Sequence, residues 1–583
     1  MKKHLRSISL MLALVLGLLS GCGTPENSAA SAASTASAES AAPAETTPEP
    51  AAPEEDAEAS AQETSMQEPD SAAEAPDLTI ALPISDDGAT YTFWVDGAAP
   101  FVTQYLGEGQ SYNTAACTEY LESITGVHIE YKEVDMFSAA EEFSLMIASG
   151  DYCDMFSNFA NLYSGGYAQG LLDEVIIPVN DLAENHMPNY SYYLDTHPEF
   201  MKELVDDDGN MLFISGFRDE SYTVSGAQIR QDWLDALGLA TPVTFDDWHE
   251  VGKAFQSEYG GYMTFCFNSA LNPGISFSRG YNLPGFAVNA SDTYFYQVDG
   301  EVRAAYTEDA LKDFISMLNQ WYQDGILCPD FYSYNGAQDC EGNIISDQVG
   351  IFWGEATFVG TYNAQSENPD CHFVGLQSPV LEEGQEIHFS TAQELTGVNP
   401  VCISSTCQDP EILATWLDYH FTEEGQLLSN YGMEGGSFEY DDQGQPQFND
   451  FVVNNPDGLN FKQTTSTYIL YATPSIFDAD CQFEVLYGEE GKAAIEVYSA
   501  QEADNAWAMP DNITYSDEES AVLYESGAIN DMDTTAAEYL MKFVTGSLDI
   551  EESWDDYVSA IEGLGLEDCI AAKQSALDRY NSR

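Results

Sequence analysis

Positive charge is what this chain has least of. Its 583 residues include 17 Lys and Arg against 98 Asp and Glu, which gives a formal net charge of −81 at pH 7. Nucleic-acid binding depends on Lys and Arg that neutralise phosphates, so the charge balance excludes nucleic acid as a partner. The same balance opposes binding to anionic lipid and disfavours a strongly anionic ligand. We interpret the acidity chiefly as a solubilising surface.

Cysteine motifs for metal or redox chemistry are also missing. None of the 11 cysteines forms a CxxC pair, and the closest two are Cys402 and Cys407. The 8 His residues are scattered along the chain, so no zinc pattern results. We predict no metal and no cofactor. The sequence leaves open whether the cysteines other than Cys22 form disulfides.

Signatures of catalysis are absent too. The chain holds no GxSxG elbow, no HExxH and no P-loop. The segment "YDDQGQPQFND", residues 440–450, partly fits a calcium loop, but the preceding Glu439 replaces the first Asp and Asp450 replaces the last Glu. We predict a polar hairpin there. The two carboxylates of a glycosidase cannot be located among 98 acidic residues. We therefore predict no enzyme, with a surface polysaccharide hydrolase or lyase as the alternative.

Long hydrophobic runs are missing apart from one at the N-terminus. A basic stretch with Lys2 and Lys3 precedes the apolar run 8–19. This run is too short for a good membrane span and is typical of a secretory signal peptide, predicted over 1–21. The run ends in "LLSGC", which resembles a bacterial lipobox. The resemblance implies cleavage before Cys22 and a lipid on its thiol, which anchors a protein to a membrane without spanning it.

Residues 22–77 differ in composition from the rest. From residue 23 they are mostly Ala, Ser, Thr, Pro and Glu, with 13 acidic residues and no Lys or Arg. Such a stretch cannot bury apolar surface and its charges repel, so we predict a disordered acidic tether behind the lipidated cysteine. The 506 residues from 78 to 583 exceed one ordinary core, which predicts two or more lobes.

Strand and helix patterns alternate along this folded part. Residues 91–97 and 127–134 alternate apolar and polar side chains as strands do, and a helical pattern that ends at Gly126 lies between them. A second helical pattern, 138–150, leads to a short strand in "CDMFSNF". This βαβ series predicts an α/β fold with a parallel sheet. In such sheets ligands bind beyond the carboxyl ends of the strands.

Several segments resemble known binding proteins. "IASGDYCDMFSNFANLYSGGYAQGLLDEVI", residues 147–176, resembles a segment of bacterial maltose-binding proteins, in which a ligand loop precedes a GGYAQ motif that packs the lobe. "IRQDWLDALGLATPVTFDDWHEVGKAF", "LESITGVHIEY", "YGMEGGSFEYDDQGQPQF" and the closing "SWDDYVSAIEGLGLEDCIAAKQSALDRYN" are similar to extracellular solute-binding proteins of ABC importers. The type is family 1, in its large Gram-positive lipoprotein subgroup. These matches are spread over nearly all of residues 78–583, and the lipobox and the tether agree with them.

The resemblance implies an α/β, two-lobed periplasmic-binding-protein-like fold with hinge crossovers and an interlobe cleft that holds the ligand. We expect lobe one to contain residues 78–215 and about 390–435. We expect lobe two to contain residues 216–389 and about 436–583. Ligand binding is then coupled to closure of the hinge.

The leading candidate contact is Trp353, which follows a predicted buried strand at a place comparable to a sugar-stacking tryptophan of maltose-binding proteins. An aromatic face suits a pyranose ring; the alternative is a core tryptophan. The resemblance implies further contacts in the loop after the third strand, at Asn158, Phe159 and Asn161. The Asp-Arg pair of the sugar proteins has no match in "FANLY". Gly165 and Gly166, in the GGYAQ motif, are expected to serve packing or backbone conformation.

Five further residues are candidate contacts with structural alternatives. Trp94 ends the first strand, and Glu434 lies in the loop "YGMEGG". Arg230 and Trp233 lie in the most recognisable motif, where pairing with Asp232 and helix packing are the alternatives. Asp151 follows the Gly150 turn and is a candidate to order that turn instead.

The resemblance implies a function as well as a fold. It implies the substrate-binding lipoprotein of an ABC importer, a lipid-anchored monomer on the extracellular face of the membrane. We expect a carbohydrate ligand, an oligosaccharide, that is passed to the permease subunits. Besides the hydrolase or lyase, the alternatives are a binding protein for a peptide or another solute and a sensor partner that feeds no permease.

Overall fold

The computed structural model describes residues 78–96, 111–135, 138–264, 277–284, 293–333, 340–457, 459–510 and 512–583. The predicted signal peptide, the lipidation site Cys22 and the predicted tether lie outside the described residues. Within the described part of the chain, no helix is both long and apolar enough to cross a membrane.

The first sheet has six strands in the order β14-β4-β11-β3-β1-β2. The predicted strands 91–97 and 127–134 are confirmed as β1 and β2, and β1 pairs in parallel with both β2 and β3. The prediction of a parallel sheet is wrong for β11, which runs antiparallel to β3 and β4 because it enters from the other end of the sheet. The strands are β1 Ala89–Asp96, β2 Val127–Val134, β3 Met155–Ser157, β4 Ile214–Arg218, β11 Val398–Ile403 and β14 Ile476–Phe477.

Amphipathic helices cover this sheet. Helix Ala116–Thr125 ends where Gly126 adopts φ 68, and helix Ala139–Ser149 ends where Gly150 adopts φ 73, a left-handed conformation that glycine adopts without strain. The helices around this sheet are Ala116–Thr125, Ala139–Ser149, Phe159–Leu162, Gly166–Leu172, Asn180–His186, Pro188–Thr196, Met201–Leu204, Pro410–Tyr419, Glu423–Asn430, Asp450–Val453 and Phe461–Thr465.

A four-stranded sheet in the order β10-β5-β9-β6 forms the centre of a second body. Strand β5 runs antiparallel to both neighbours, and β6 runs parallel to β9. The strands are β5 Ser225–Arg230, β6 Tyr262–Thr264, β9 Val349–Glu355 and β10 Phe373–Leu376, with a separate hairpin of β7 Phe295–Val298 and β8 Glu301–Ala304.

Helices pack on both faces of this second sheet. Helix Phe245–Tyr259 begins with a capping box, in which Thr244 and Asp247 each accept a backbone N–H of the other, at 3.2 and 2.9 Å. Helix Ala479–Ser499 is broken at Gly488, whose φ of 65 and ψ of −179 are not helical. The helices here are Gln231–Leu237, Phe245–Tyr259, Asp309–Gln323, Glu341–Ile345, Thr357–Gln365, Ala479–Ser499, Asp517–Ser520, Ala528–Thr545, Ile550–Glu562 and Leu566–Asn581.

Separate hydrophobic cores define the two lobes. We call lobe one the body whose core draws on segments 91–217, 401–428 and 469–472. Lobe two is the body whose cores, one on each face of the second sheet, lie between residues 227 and 580. The chain passes between the lobes after β4, before β11 and after β14. By this definition residues 469–477 belong to lobe one, so the last crossing comes later than the position near residue 435 expected from the resemblance.

The segment predicted to be a polar hairpin is one. Strands β12 Phe438–Tyr440 and β13 Pro446–Phe448 pair antiparallel, and Asp441 closes the turn by accepting the N–H groups of Gln443 and Gln445 at 2.7 and 2.8 Å. Among the described residues, no three His, Cys, Asp or Glu side chains group so as to hold a metal ion. The nine cysteines of the described ranges form no disulfide.

The C-terminal helix of lobe two touches lobe one through charged groups. Arg579 donates to Asp207 at 2.7 Å and to Glu519 at 2.5 Å, and Arg583 donates to Asp207 at 2.7 Å. Burial opposes ionisation of Glu519, but its bonds from Arg579 outweigh this and lower its pKa to about 2. Bonds from Arg579 and Arg583 likewise outweigh burial and lower the pKa of Asp207.

These lowered pKa values predict acid sensitivity. Stability from Glu519 is present above the unfolded-state pKa of roughly 4.3 and is lost as pH falls towards about 2. Glu519→Gln should lower the free energy of unfolding at pH 7 by roughly 1 to 2 kcal/mol, a modest figure because solvent screens part of the cluster. Denaturant unfolding between pH 7 and pH 2.5 tests this. Glu518→Gln, at an exposed position on the same turn, is the control and should change little; equal pH profiles for Glu519→Gln and the unmodified chain would contradict the prediction.

Candidate ligand-binding site

The ends of several strands meet where the lobes face each other. Strands β3 and β4 end at Ser157 and Arg218 on the same edge of the first sheet, because both run antiparallel to β11 between them. Strand β9 of lobe two ends at Glu355, close to the crossing segment that leads into β5. Carboxyl ends of strands at such crossings are the usual place for a ligand.

Lys462 of lobe one lies at this junction with an unusual set of neighbours. Its Nζ lies 3.9 Å from the centroid of the Tyr471 ring, a favourable cation–π arrangement. The ring is held in place because the Tyr471 hydroxyl shares a 2.8 Å hydrogen bond with Thr465. An ammonium group has three donors, yet none of the described residues accepts a hydrogen bond from Lys462 or forms an ion pair with it.

Glu355 is the carboxylate of lobe two that acts on Lys462. Burial lowers the pKa of Lys462 to about 8, and the negative charge of Glu355 is the main influence in the other direction. Burial also raises the pKa of Glu355, against the opposing influence of Lys462 and Thr357. The two groups therefore affect each other electrostatically without forming an ion pair. Lys462 thus supplies a donor on one lobe and Glu355 an acceptor on the other.

Aromatic side chains adjoin this pair at the crossings. The ring of Tyr222 meets Phe483 edge-on with 4.6 Å between centroids, and Phe483 meets Tyr487 at 5.3 Å. Arg218 donates to the carbonyl oxygen of Glu394 at 3.0 Å. Burial lowers the pKa of Arg218, while the neighbouring Tyr222 and Tyr487 oppose that change. We call Lys462, Tyr471, Glu355, Tyr487 and Arg218 the Lys462 group.

A pocket of about 550 Å³ also lies between the lobes at the crossings. Its volume is within the range of small-ligand sites. Arg218 belongs both to the Lys462 group and to the lining of this pocket. Lobe one supplies Asn161, Tyr167, Phe213 and Glu203; lobe two supplies Asn505, Met509, Pro510 and Tyr580; the crossings supply Arg218, Glu394, Thr396 and Gly397.

Two of the predicted contacts are brought together at the end of β3. Asn158 adopts a left-handed conformation, φ 55, and its Oδ1 accepts a 2.6 Å hydrogen bond from Asn161. Asn161 is exposed and lines the pocket. The loop therefore presents amide groups towards the space between the lobes, and ligand contact by both asparagines stays a prediction.

The neighbouring Phe159 is a core residue. It has no exposed surface and stacks on Tyr163 with 4.9 Å between centroids. Gly170 allows this packing, because a Cβ there would lie 2.5 Å from the Phe159 ring. Gly165 adopts φ 83 and begins helix Gly166–Leu172, which fits the expectation of a backbone role. Tyr167, between these glycines, stacks on Phe213 at 4.6 Å and lines the pocket.

The two predicted stacking tryptophans are buried. Trp353 is 6% exposed and belongs to the core of lobe two, two positions before the end of β9. Trp94 has no exposed surface and meets Phe143 edge-on at 5.4 Å in lobe one. The structure thus matches the core alternative for both residues, because neither ring offers a face to a ligand.

Arg230 and Trp233 are likewise structural. The side chain of Arg230 is fully buried and pairs with Asp232 at 2.6 Å and with Asp347. The guanidinium lies 4.3 Å from the Trp233 ring centroid, and Trp233 packs on Phe255. Every nitrogen of the Arg230 guanidinium therefore donates to a carboxylate of lobe two.

Glu434 and Asp151 lie on the surface. Glu434 is exposed at the turn that precedes β12, with an isolated backbone bridge to Phe438. Asp151 is exposed in the segment that leads into the start of β3, whereas Asn158 follows the end of that strand. Ligand contact by Glu434 and Asp151 remains a prediction, and neither residue belongs to the Lys462 group.

Comparison with known proteins places these observations in context. No family model matches the chain. The fructooligosaccharide ABC transporter substrate-binding protein FusA of Streptococcus pneumoniae is 24% identical over 497 residues, which cover 81% of this chain and 88% of the relative.

Solved structures show the same architecture. FusA in complex with kestose is similar at a TM-score of 0.64 and 20% identity, over 85% of this chain and 99% of that one. A solute-binding protein from Bifidobacterium longum infantis, described as binding HMO, gives 0.66 and 16% over the same shares. The alginate-binding protein AlgQ2 gives 0.65 and 20%, also over 85% and 99%. The predicted fold, α/β with two lobes, is thereby confirmed.

The ion pairs of Arg230 predict a structural phenotype. Arg230→Gln should lower the free energy of unfolding by roughly 2 to 4 kcal/mol, because it leaves Asp232 and Asp347 beside each other without a cation. Arg303→Gln breaks an exposed 3.9 Å pair with Glu301 and should cost less than about 1 kcal/mol. Denaturant unfolding measures both variants. A fully stable Arg230→Gln variant that has lost ligand binding would show instead that Arg230 contacts the ligand.

Proposed function

We propose that this chain is the substrate-binding lipoprotein of an ABC importer. It captures a carbohydrate, an oligosaccharide, between its lobes and delivers it to the permease, and a lipid on Cys22 keeps it at the outer face of the membrane. The two-lobed fold supports this proposal, as do the names of the similar proteins, which bind fructooligosaccharide, HMO and alginate.

The observation that carries the proposal is the placement of Lys462 and Glu355. A donor without an acceptor among the described residues lies on one lobe, and an acceptor that acts on it electrostatically lies on the other. A sugar hydroxyl both donates and accepts, so it satisfies both groups at once. The ring of Tyr487, which is only partly buried, adjoins the same space and suits the apolar face of a pyranose or furanose.

Ligand between the lobes also provides the signal for transport. Because Lys462 and Glu355 belong to different lobes, a ligand that bonds to both favours the arrangement in which the lobes are close. The ligand thereby shifts the hinge equilibrium by its differential affinity for that arrangement. The closed form is the one we expect the permease to recognise.

Replacement of Lys462 tests the site. Lys462→Met should weaken sugar binding roughly 10- to 100-fold, since a hydrogen bond from a charged donor contributes roughly 1.5 to 3 kcal/mol. Its melting temperature should stay equal or rise, because a poorly solvated charge is removed. Titration calorimetry with kestose, milk oligosaccharides, alginate fragments and peptides measures affinity and ligand class. Lys253→Met, on an exposed helix surface, is the control and should bind normally.

The pKa of Lys462 gives a second readout. Affinity should fall as pH rises through about 8, because the ammonium then loses its proton. Lys462→Arg keeps its charge and should bind without that fall. A flat profile for the unmodified chain and full affinity in Lys462→Met would remove Lys462 from the site. Binding of peptide alone would overturn the carbohydrate proposal, and cleaved glycan products would favour the hydrolase or lyase.

A further inference from the structure

The outer edge of the lobe-two sheet is formed by β10, which among the described strands pairs with β5 alone. Gln231 donates its N–H to the carbonyl of His372 at 2.8 Å. Residues of an antiparallel strand alternate between bonding to the neighbour and pointing away from it. His372, Val374 and Leu376 therefore bond towards β5, and the backbone groups of Phe373 and Gly375 point outward.

A side-chain amide occupies one end of this outer edge, and a second amide bonds to the chain two residues beyond the end of β10. Asn363 accepts the N–H of Phe373 at 2.6 Å and donates to its carbonyl at 3.1 Å. Gln501 accepts the N–H of Ser378 at 2.9 Å and donates to its carbonyl at 2.8 Å. A primary amide offers one acceptor and donors in the arrangement of a peptide group. Each amide thus supplies what one residue of a paired strand supplies.

The stretch between the two amides lies open. The N–H and C=O of Gly375 point into a groove of about 860 Å³, and no side chain of the described residues takes them up. Helix Ala479–Ser499 crosses close over the face of the strand here, since a Cβ on Gly375 would lie 2.7 Å from the Cα of Ala494. The strand is covered on its face and open along its edge.

The walls of the groove define the chemistry of its occupant. One wall is apolar through Val243, Val380 and Ile387; the helix opposite contributes Ala493 and Val497, and Ala500 follows the end of that helix. Glu383, Glu489 and Glu502 line it as well, and the described lining residues include no Lys or Arg. Tyrosine and tryptophan, which sugar sites use for stacking, are also absent from that lining.

We infer that this groove binds an extended peptide segment as an added strand beside β10, with apolar side chains alternating with Lys or Arg. The backbone of the segment bonds to Gly375, its apolar side chains pack on the Val and Ala walls, and its cations pair with the glutamates. Addition of a strand to a sheet edge is a recurring mode of peptide recognition. The inference does not depend on the proposed carbohydrate function, because the groove and the Lys462 group share no residue.

Synthetic peptides test the inference. The probe is acetyl-Lys-Val-Lys-Val-Lys-amide, measured by titration calorimetry with the full chain. We expect saturable binding, at least tenfold weaker for a copy with N-methylated valines, which loses its backbone donors, and at least tenfold weaker for the Glu-Val-Glu-Val-Glu analogue. Glu489→Gln with Glu502→Gln should weaken the Lys-Val probe at least threefold.

A variant that blocks the groove distinguishes binding within the groove from general electrostatic attraction to an acidic surface. Ala493→Arg, on the exposed helix surface that lines the groove, should abolish binding of the Lys-Val probe. Ala364→Arg, an identical change at an exposed position outside the lining, should leave it intact. Both variants should keep the melting temperature and the sugar affinity of the unmodified chain. Absence of probe binding, equal binding of the N-methylated copy, or full binding by Ala493→Arg would each overturn the inference.

Discussion

Scarcity of positive charge is the constraint on which this structure depends. With 17 cations against 98 acids, self-repulsion opposes the compact state, and arginines hold carboxylates together at several places where elements join. Arg230, the last residue of β5, holds two of them, and Arg579 links Glu519 to Asp207 of lobe one. Lys573, which is also buried, donates a hydrogen bond to the hydroxyl of Tyr515 at 3.0 Å. Lys462 differs from all of these, because it is desolvated in the same acidic chain without an acceptor among the described residues.

That difference has an energetic meaning. A desolvated ammonium without an acceptor destabilises the unliganded protein, and natural proteins retain such costs at functional sites. When a ligand hydroxyl accepts from Lys462, the penalty is relieved on binding rather than on folding, so it contributes to affinity. The nearby carboxylate of Glu355 keeps the ammonium protonated near neutral pH. The pair offers one donor and one acceptor with little net charge, which matches a neutral, hydroxyl-rich ligand better than an anionic one.

Local sequence patterns predicted strands, helix ends and a hairpin. The candidate site instead depends on contacts between residues that lie far apart in the sequence. The alternation in β1 and β2, the glycine that ends the helix between them and the hairpin at residues 440–450 all follow from short-range preferences, and all are confirmed. Trp353 and Glu355 show where such reasoning stops. They lie two positions apart on the same strand, yet one is in the core and the other is exposed at the strand end. Lys462 carries no motif, since its proposed role depends on Glu355, more than 100 positions earlier.

The two binding surfaces proposed for lobe two, the one between the lobes and the groove along β10, differ in the groups that recognise the ligand. In the site proposed between the lobes, side chains are the recognition elements, and charges and tyrosine are suited to a ligand that has no peptide backbone. Along β10 the main chain itself is the recognition element, and side chains only limit what can approach it. Natural proteins protect free sheet edges against pairing with other strands. Asn363 protects one end of this edge with a peptide-like amide, and Gln501 bonds to the chain just beyond the other end, whereas the middle is left with a glycine between apolar walls and glutamates. That combination disfavours acidic strands by repulsion and leaves the edge selective for a basic one.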